Sequence, residues 1–123
     1  SLALVGDDRA AIANTLREAV EAGVELVLTT GGTGFSTDDV TPEATRDVID
    51  REAPGLAEAI RADAAGRLTT GILTRGVAGI AGSTLIVNLP GSPKAVVESF
   101  AAIEGALPHA IAQLGGPGGR DRH

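Results

Sequence analysis

Apolar residues along this chain fall into two alternating patterns. Leu2-Ala3-Leu4-Val5 is a short apolar run closed by Gly6, which predicts a strand. Asp7 or Asp8 then caps a helix whose apolar face carries Ile12, Leu16 and Val20 before Gly23 stops it. Val24 to Thr30 is nearly continuous in apolar and β-branched residues, as expected of a strand buried on both faces of a parallel sheet. A glycine-rich loop follows. Thr41-Pro42-Glu43 reads as a helix start, with Thr41 as N-cap, Pro42 in the first turn and Glu43 where the helix dipole favours an acid. That helix is expected to run to about Glu52, before Pro54.

A further helical stretch from Leu56 places Leu56 and Ile60 on one face and fades by Gly66, whereas Leu68 to Arg75 has no clear period. Val77 to Ala81 and Thr84 to Leu89 flank Gly82-Ser83, a two-residue loop with glycine first that suits a type II′ turn, so one antiparallel strand is expected in the sheet. Pro90-Gly91-Ser92-Pro93 opens a helix capped by Ser92, with Val96, Val97, Phe100 and Ile103 on its apolar face. A short helix from Leu107 to Leu114 precedes a Gly-rich tail, residues 115–123, too polar to pack and expected to be flexible. There is no internal repeat. The order of elements predicts a three-layer α/β/α domain over residues 1–114, with a mostly parallel sheet carrying one antiparallel strand.

Composition changes this picture in four respects. A chain of 123 residues is one domain, long enough to bury a core, and its mean hydropathy of +0.18 is that of a folded protein. The absence of Cys excludes disulfides, thiolate metal sites and cysteine nucleophiles. A net charge of −6 with no Lys/Arg stripe argues against nucleic acid as a partner, though not against a small anion in a pocket. No unbroken apolar run reaches the roughly 18 residues of a membrane span and no signal peptide is visible, so the expectation is a cytoplasmic protein without membrane contact.

The chemistry concentrates in Thr29-Thr30-Gly31-Gly32-Thr33-Gly34-Phe35-Ser36-Thr37-Asp38-Asp39-Val40-Thr41-Pro42. A strand end, a glycine turn, paired carboxylates and a helix start follow one another in this stretch. Glycines let backbone N–H groups close on an anion, a helix N-terminus favours negative charge, and a carboxylate can hold the magnesium that accompanies a nucleotide. In an open parallel sheet, ligands sit beyond the carboxyl ends of the strands. If the three strands before Asp7, Gly31 and Pro90 are parallel, all three following loops share one rim. Each piece also has a purely structural reading: glycines for a tight turn, Asp7 as a cap, Asp38-Asp39 as a solvated pair, Ser92-Pro93 as cap and first turn, Lys94 as a solvated cation. His109 and His123 have no partner nearby in sequence, which argues against a serine triad.

Thr29 to Gly34 followed by Asp39-Val40-Thr41-Pro42-Glu43-Ala44-Thr45 closely resembles the signature of the MogA/MoaB family of molybdenum cofactor biosynthesis proteins. Asn88-Leu89-Pro90-Gly91-Ser92-Pro93 is similar to that family's second motif, and Arg51-Glu52-Ala53-Pro54-Gly55 lies between them as in the family. The resemblance spans Leu4 to about Leu114. It implies Mg-ATP-dependent adenylylation of molybdopterin, giving adenylylated molybdopterin and pyrophosphate. It further implies a homotrimer and contact with other molybdenum cofactor synthesis proteins.

On this resemblance Asp7 and Asp39 match the family's catalytic acids and would hold Mg2+. Thr30, Gly31, Gly32, Thr33, Gly34 and Ser36 would receive phosphate oxygens, and Pro90, Gly91, Ser92 and Pro93 would form a second anion site. Two readings stay open beside it. One is a non-catalytic member that binds molybdopterin or nucleotide or serves assembly. The other is a dinucleotide-binding domain, weakened by the lack of Gly-x-Gly-x-x-Gly spacing. Family members begin with another strand, a loop and a helix before the segment matching Leu2 to Asp7. Their absence from these residues leads us to expect part of a longer natural chain with an exposed sheet edge.

Overall fold

The computed structural model describes residues 2–115. Helix α1 (Arg9–Glu21) leads into β1 (Leu26–Thr30), then α2 (Thr41–Arg46), β2 (Arg51–Glu52) and α3 (Pro54–Arg67). A 3-10 turn at Thr69–Ile72 precedes β3 (Ala78–Ala81), β4 (Thr84–Leu89), α4 (Pro93–Ile103), a second 3-10 turn and α5 (Leu107–Gly115). The sheet order is β1-β4-β3-β2. β1 pairs parallel with β4, and β3 runs antiparallel to both β4 and β2, so β3 is the one reversed strand. Residues 116–123 of the expected tail lie outside the described residues.

All six residues of β4 are buried, and their alternation divides the core. Leu85, Val87 and Leu89 face Ile60 of α3, Ile103 of α4 and Leu107 of α5. Ile86 faces the other way, onto Leu16 of α1, with Ile12, Val20 and Val27 packed around it. A strand covered on both sides gives the three layers expected, but it is β4 and not β1: the Val24 to Thr30 run, expected to be buried on both faces, is only partly covered, with Leu28 37% exposed. The hairpin is also as expected: Ala81 pairs with Thr84, and Gly82 takes a φ of +61° in the two-residue turn.

Five further expectations need correction. Leu2-Ala3-Leu4-Val5 forms no strand; it is exposed, with Leu4 at 93%, because no neighbouring strand edge pairs with it. The antiparallel content is larger by one pairing, since the predicted long helix from Thr41 stops at Arg46. Val48 and Ile49 then turn inward to pack under Ile86, and Arg51-Glu52 pairs with Ile80 and Gly79 as a short edge strand. Thr41 is the first helical residue of α2 rather than its cap, and Val40 in the cap position makes no side-chain bond to the helix. Val97 is 70% exposed, so the buried face of α4 is Val96, Ser99, Phe100 and Ile103. Finally, Pro93–Gly115 is long and apolar enough by composition to cross a membrane, with a mean hydropathy of 1.2. In this fold the second 3-10 turn interrupts that stretch, and Val96, Phe100, Ile103, Leu107, Ala110 and Leu114 pack it onto the sheet.

One side chain ties the layers together. Asn88, 3% exposed on β4, accepts the Val77 N–H at 3.0 Å through Oδ1, and its Nδ2 donates to Thr29 Oγ1 at 2.9 Å and Thr45 Oγ1 at 3.0 Å. β1, α2 and the start of β3 are thereby fixed to β4. We expect Asn88→Ala to lower unfolding stability by roughly 3 kcal/mol, because it orphans one buried backbone donor and two hydroxyls. A urea midpoint within experimental error of the parent would contradict this.

Candidate functional site

Parallel pairing decides where the site lies. Thr30 is in register with Leu89, and the Gly31 N–H donates to Leu89 O at 3.0 Å, so the loops that follow β1 and β4 leave the sheet side by side. They touch: a Cβ on Gly91 would lie 3.1 Å from Gly31 Cα, which only glycine avoids without moving the backbone. Gly32, at φ +69°, accepts the Thr41 N–H at 3.1 Å, and a side chain there would collide with the Thr41 hydroxyl. This explains why Thr41 is not a cap. Its hydroxyl packs against the glycine turn instead.

A cleft of about 450 Å³ opens beside these loops. Its floor is Gly31 to Gly34 with Pro90 and Gly91, Asp39 stands at one side, and the opposite wall is Ala64 and Arg67 of α3 with Leu68, Thr70, Gly71, Leu73 and Thr74 after it. Asp39 bends back over Gly34, and its Oδ2 accepts the Ser36 N–H at 3.0 Å. Its Oδ1 has no protein donor among the described residues. Thr33 is buried and shares a 3.2 Å hydrogen bond with the Thr74 hydroxyl.

Several residues singled out from sequence do not line this cleft. Thr30 is exposed at the end of β1. Ser36 Oγ accepts the Asp38 N–H at 3.2 Å, and Ser92 caps α4 by accepting the Ala95 N–H at 3.2 Å, with Pro93 behind it in the first turn. Asp7 lies in the exposed segment before α1, and Asp8 rather than Asp7 caps that helix, accepting the Ala11 N–H at 3.1 Å. Val20, near the C-terminal end of α1, sits beside Gly82, and the Thr84 hydroxyl donates to Val24 O at 2.6 Å. The end of α1 therefore meets the start of β4, and its N-terminus points toward the end where β1 and β4 finish. Arg9 anchors that N-terminus with two bonds to Asp47, at 2.7 and 2.8 Å, and holds the Asp47 carboxyl below the usual range.

Sequence reasoning missed the residue that braces the glycine loop. The Arg75 N–H donates to Thr33 O at 2.7 Å, and its guanidinium donates to Gly34 O at 2.9 Å, to Asp39 O at 2.6 Å and to Glu43 Oε2 at 2.6 Å. Loop and helix start are thus held by one side chain. Its hydrogen bond lowers the Glu43 pKa and raises its own. The only signal in the sequence was an arginine in a stretch without periodicity.

Sequence comparison agrees with this geometry. A family model described as "Probable molybdopterin binding domain" matches residues 1–109. The chain belongs to this family. It is 45% identical over 113 residues to "Molybdenum cofactor synthesis protein cinnamon" of Drosophila melanogaster, covering 91% of this chain and 19% of that protein. It is 47% identical over 102 residues to "Molybdopterin adenylyltransferase" of Haemophilus influenzae, covering 82% of this chain and 52% of that one. The chain therefore spans about half or less of the length of these relatives. Among solved structures, the molybdopterin biosynthesis Mog protein of Mycobacterium ulcerans superposes with a TM-score of 0.81 at 48% identity, covering 83% of this chain and 67% of that one. The molybdopterin-binding family and its α/β fold, both expected from the two loop motifs, are thus established.

The Arg75–Glu43 pair makes a pH prediction. A folded-state pKa held below the unfolded value contributes stability above the unfolded value, near pH 4.3, and that contribution is lost as pH falls through the folded value. Glu43→Gln should therefore be less stable than the parent at neutral pH, with the gap narrowing as pH falls below the ordinary carboxylate range. A gap that persists unchanged in acid, measured by urea unfolding across this range, would refute the ionic origin of the brace.

Proposed function

We propose that this domain adenylylates molybdopterin with Mg-ATP. The terminal phosphate oxygen of the pterin attacks the α-phosphorus of ATP, the bond from that phosphorus to the bridging oxygen breaks, and adenylylated molybdopterin and pyrophosphate leave. The observation that carries this reading is the abutment of two backbone-rich loops at the carboxyl ends of paired parallel strands, with a carboxylate folded over one of them. The name of the Haemophilus influenzae relative supports it.

Phosphoryl-type transfer needs alignment and charge neutralisation more than a covalent partner. The N–H groups of Gly32, Thr33 and Gly34, which line the cleft and bond no carbonyl among the described residues, receive one phosphate group with the Thr33 hydroxyl beside them, while Thr30 and Ser36 stand outside the cleft. The Pro90 to Pro93 turn and the α4 N-terminus receive the other. Among the described residues no three His, Asp or Glu side chains form a metal cage. Magnesium fits without one, because it is commonly held by one or two carboxylates together with substrate phosphates and water. Asp39, with Oδ1 open to a ligand, and Asp7 would hold it, and the ion supplies neutralisation of phosphate charge. The same reading carries a homotrimer in the cytoplasm, working beside other proteins of molybdenum cofactor synthesis.

The test is incubation of the protein with ATP, magnesium and molybdopterin, followed by detection of the adenylylated product. Asp39→Asn should lower turnover by at least about a hundredfold while leaving the melting temperature within a few degrees, because the half-buried side chain keeps its shape and Asn retains an oxygen to accept the Ser36 N–H. Unchanged turnover in the variant would remove Asp39 from catalysis. Nucleotide binding without product from the parent would identify a non-catalytic member.

A further inference from the structure

Arg67 is the one cation among the described residues lining the cleft, and it is not free. It ends α3, and its Nε donates to Asp63 Oδ2 at 3.0 Å and its Nη1 to Glu98 Oε2 at 3.1 Å. Asp63 lies one turn back on α3, but Glu98 is on α4, 31 residues away and itself part of the cleft lining. The Arg67–Glu98 bond therefore joins two walls of the cleft opposite the glycine loop.

The charges here are poorly matched to a phosphate ligand. Asp39 and Glu98 both line the cleft, against Arg67 alone. Glycine N–H groups can accept the dipolar share of a polyphosphate's charge but not all of it, and a carboxylate facing the ligand opposes binding. Arg67 has the chemistry to help, because a guanidinium meets phosphate oxygens with two parallel N–H groups. Its side chain is half-exposed, Glu98's about a quarter, and exposed ion pairs exchange partners readily.

We propose that Arg67 is a phosphate-binding residue held in reserve by Glu98: a phosphate ligand in the cleft takes the guanidinium, and Glu98 competes for it. This inference deepens the proposed function and rests on its assignment of phosphate to this cleft. Glu98 thereby sets affinity, since every anionic ligand must displace it. A purely structural role for the pair makes the opposite forecast for Glu98. Loss of either partner would then loosen the cleft and weaken binding alike.

The experiment is calorimetric titration of the intact protein with Mg-ATP. Arg67→Gln should raise Kd roughly tenfold, the effect of losing one charge-assisted contact, and Arg67→Lys should fall between it and the parent. Glu98→Gln should lower Kd about threefold, because it frees the guanidinium and removes a like charge. The Arg67→Gln effect should shrink as salt rises. Equal Kd for parent and Arg67→Gln, or weaker binding in Glu98→Gln, overturns the role of Arg67 while leaving the cleft assignment standing. Absence of any Mg-ATP binding by the parent overturns both.

Discussion

The hydrogen bonds of Asn88 are the constraint on which the rest of this structure depends. One buried amide uses its oxygen on the backbone entering β3 and both of its donors on hydroxyls, one on β1 and one on α2. A residue of this size with any other head group would leave at least one of those partners unsatisfied in a buried setting, and the penalty there is larger than the gain from any single bond. The amide also fixes geometry, because Thr29 and Asn88 are register partners. A slip of one residue between β1 and β4 would turn Asn88 to the opposite face and separate the two loops that each begin two residues later, at Gly31 and Pro90.

From that register the cleft follows with few further parts. Parallel strands that end together release their loops together, and the two glycines at the crossing, Gly31 and Gly91, allow backbones to approach where side chains could not. Arg75 then holds the first loop from behind through three carbonyl contacts and the Glu43 pair, leaving the loop's front open to the cleft. The division of labour is electrostatic as well as steric. The cation that shapes the loop faces away from the ligand side, while the cation in the cleft is balanced by two carboxylates.

What was legible in the sequence was local. The Gly82-Ser83 hairpin and the Ser92-Pro93 helix start are each decided within a few residues, and each appears as read, whereas the two-sided burial expected of Val24 to Thr30 falls on β4 instead. The end of α2 was not legible, since Val48 and Ile49 keep helical spacing in sequence and are pulled inward only by the sheet face above them. Leu2 to Val5 has strand composition but no partner edge, and a strand is a property of a pair. In the site, Gly31 to Gly34, Asp39, Pro90 and Gly91 were readable from motif and order. Arg75 and Arg67 were not, because the partners that give them their roles, Glu43 and Glu98, lie 32 and 31 residues away, and the other Arg75 partners are backbone carbonyls that carry no sequence signal. The family resemblance joined the two loops before topology did, and topology supplies the reason they belong together.

The central claim is that the two loops after β1 and β4 form one anion cradle. Crystals of the protein soaked with Mg-ATP test it most directly, by showing where the phosphates lie. The account predicts phosphate density against the N–H groups of Gly32 to Gly34, with continuous density reaching Pro90 and Gly91. Phosphates seated instead in a separate cleft lined by Arg46, Arg61 and Arg75 would contradict it.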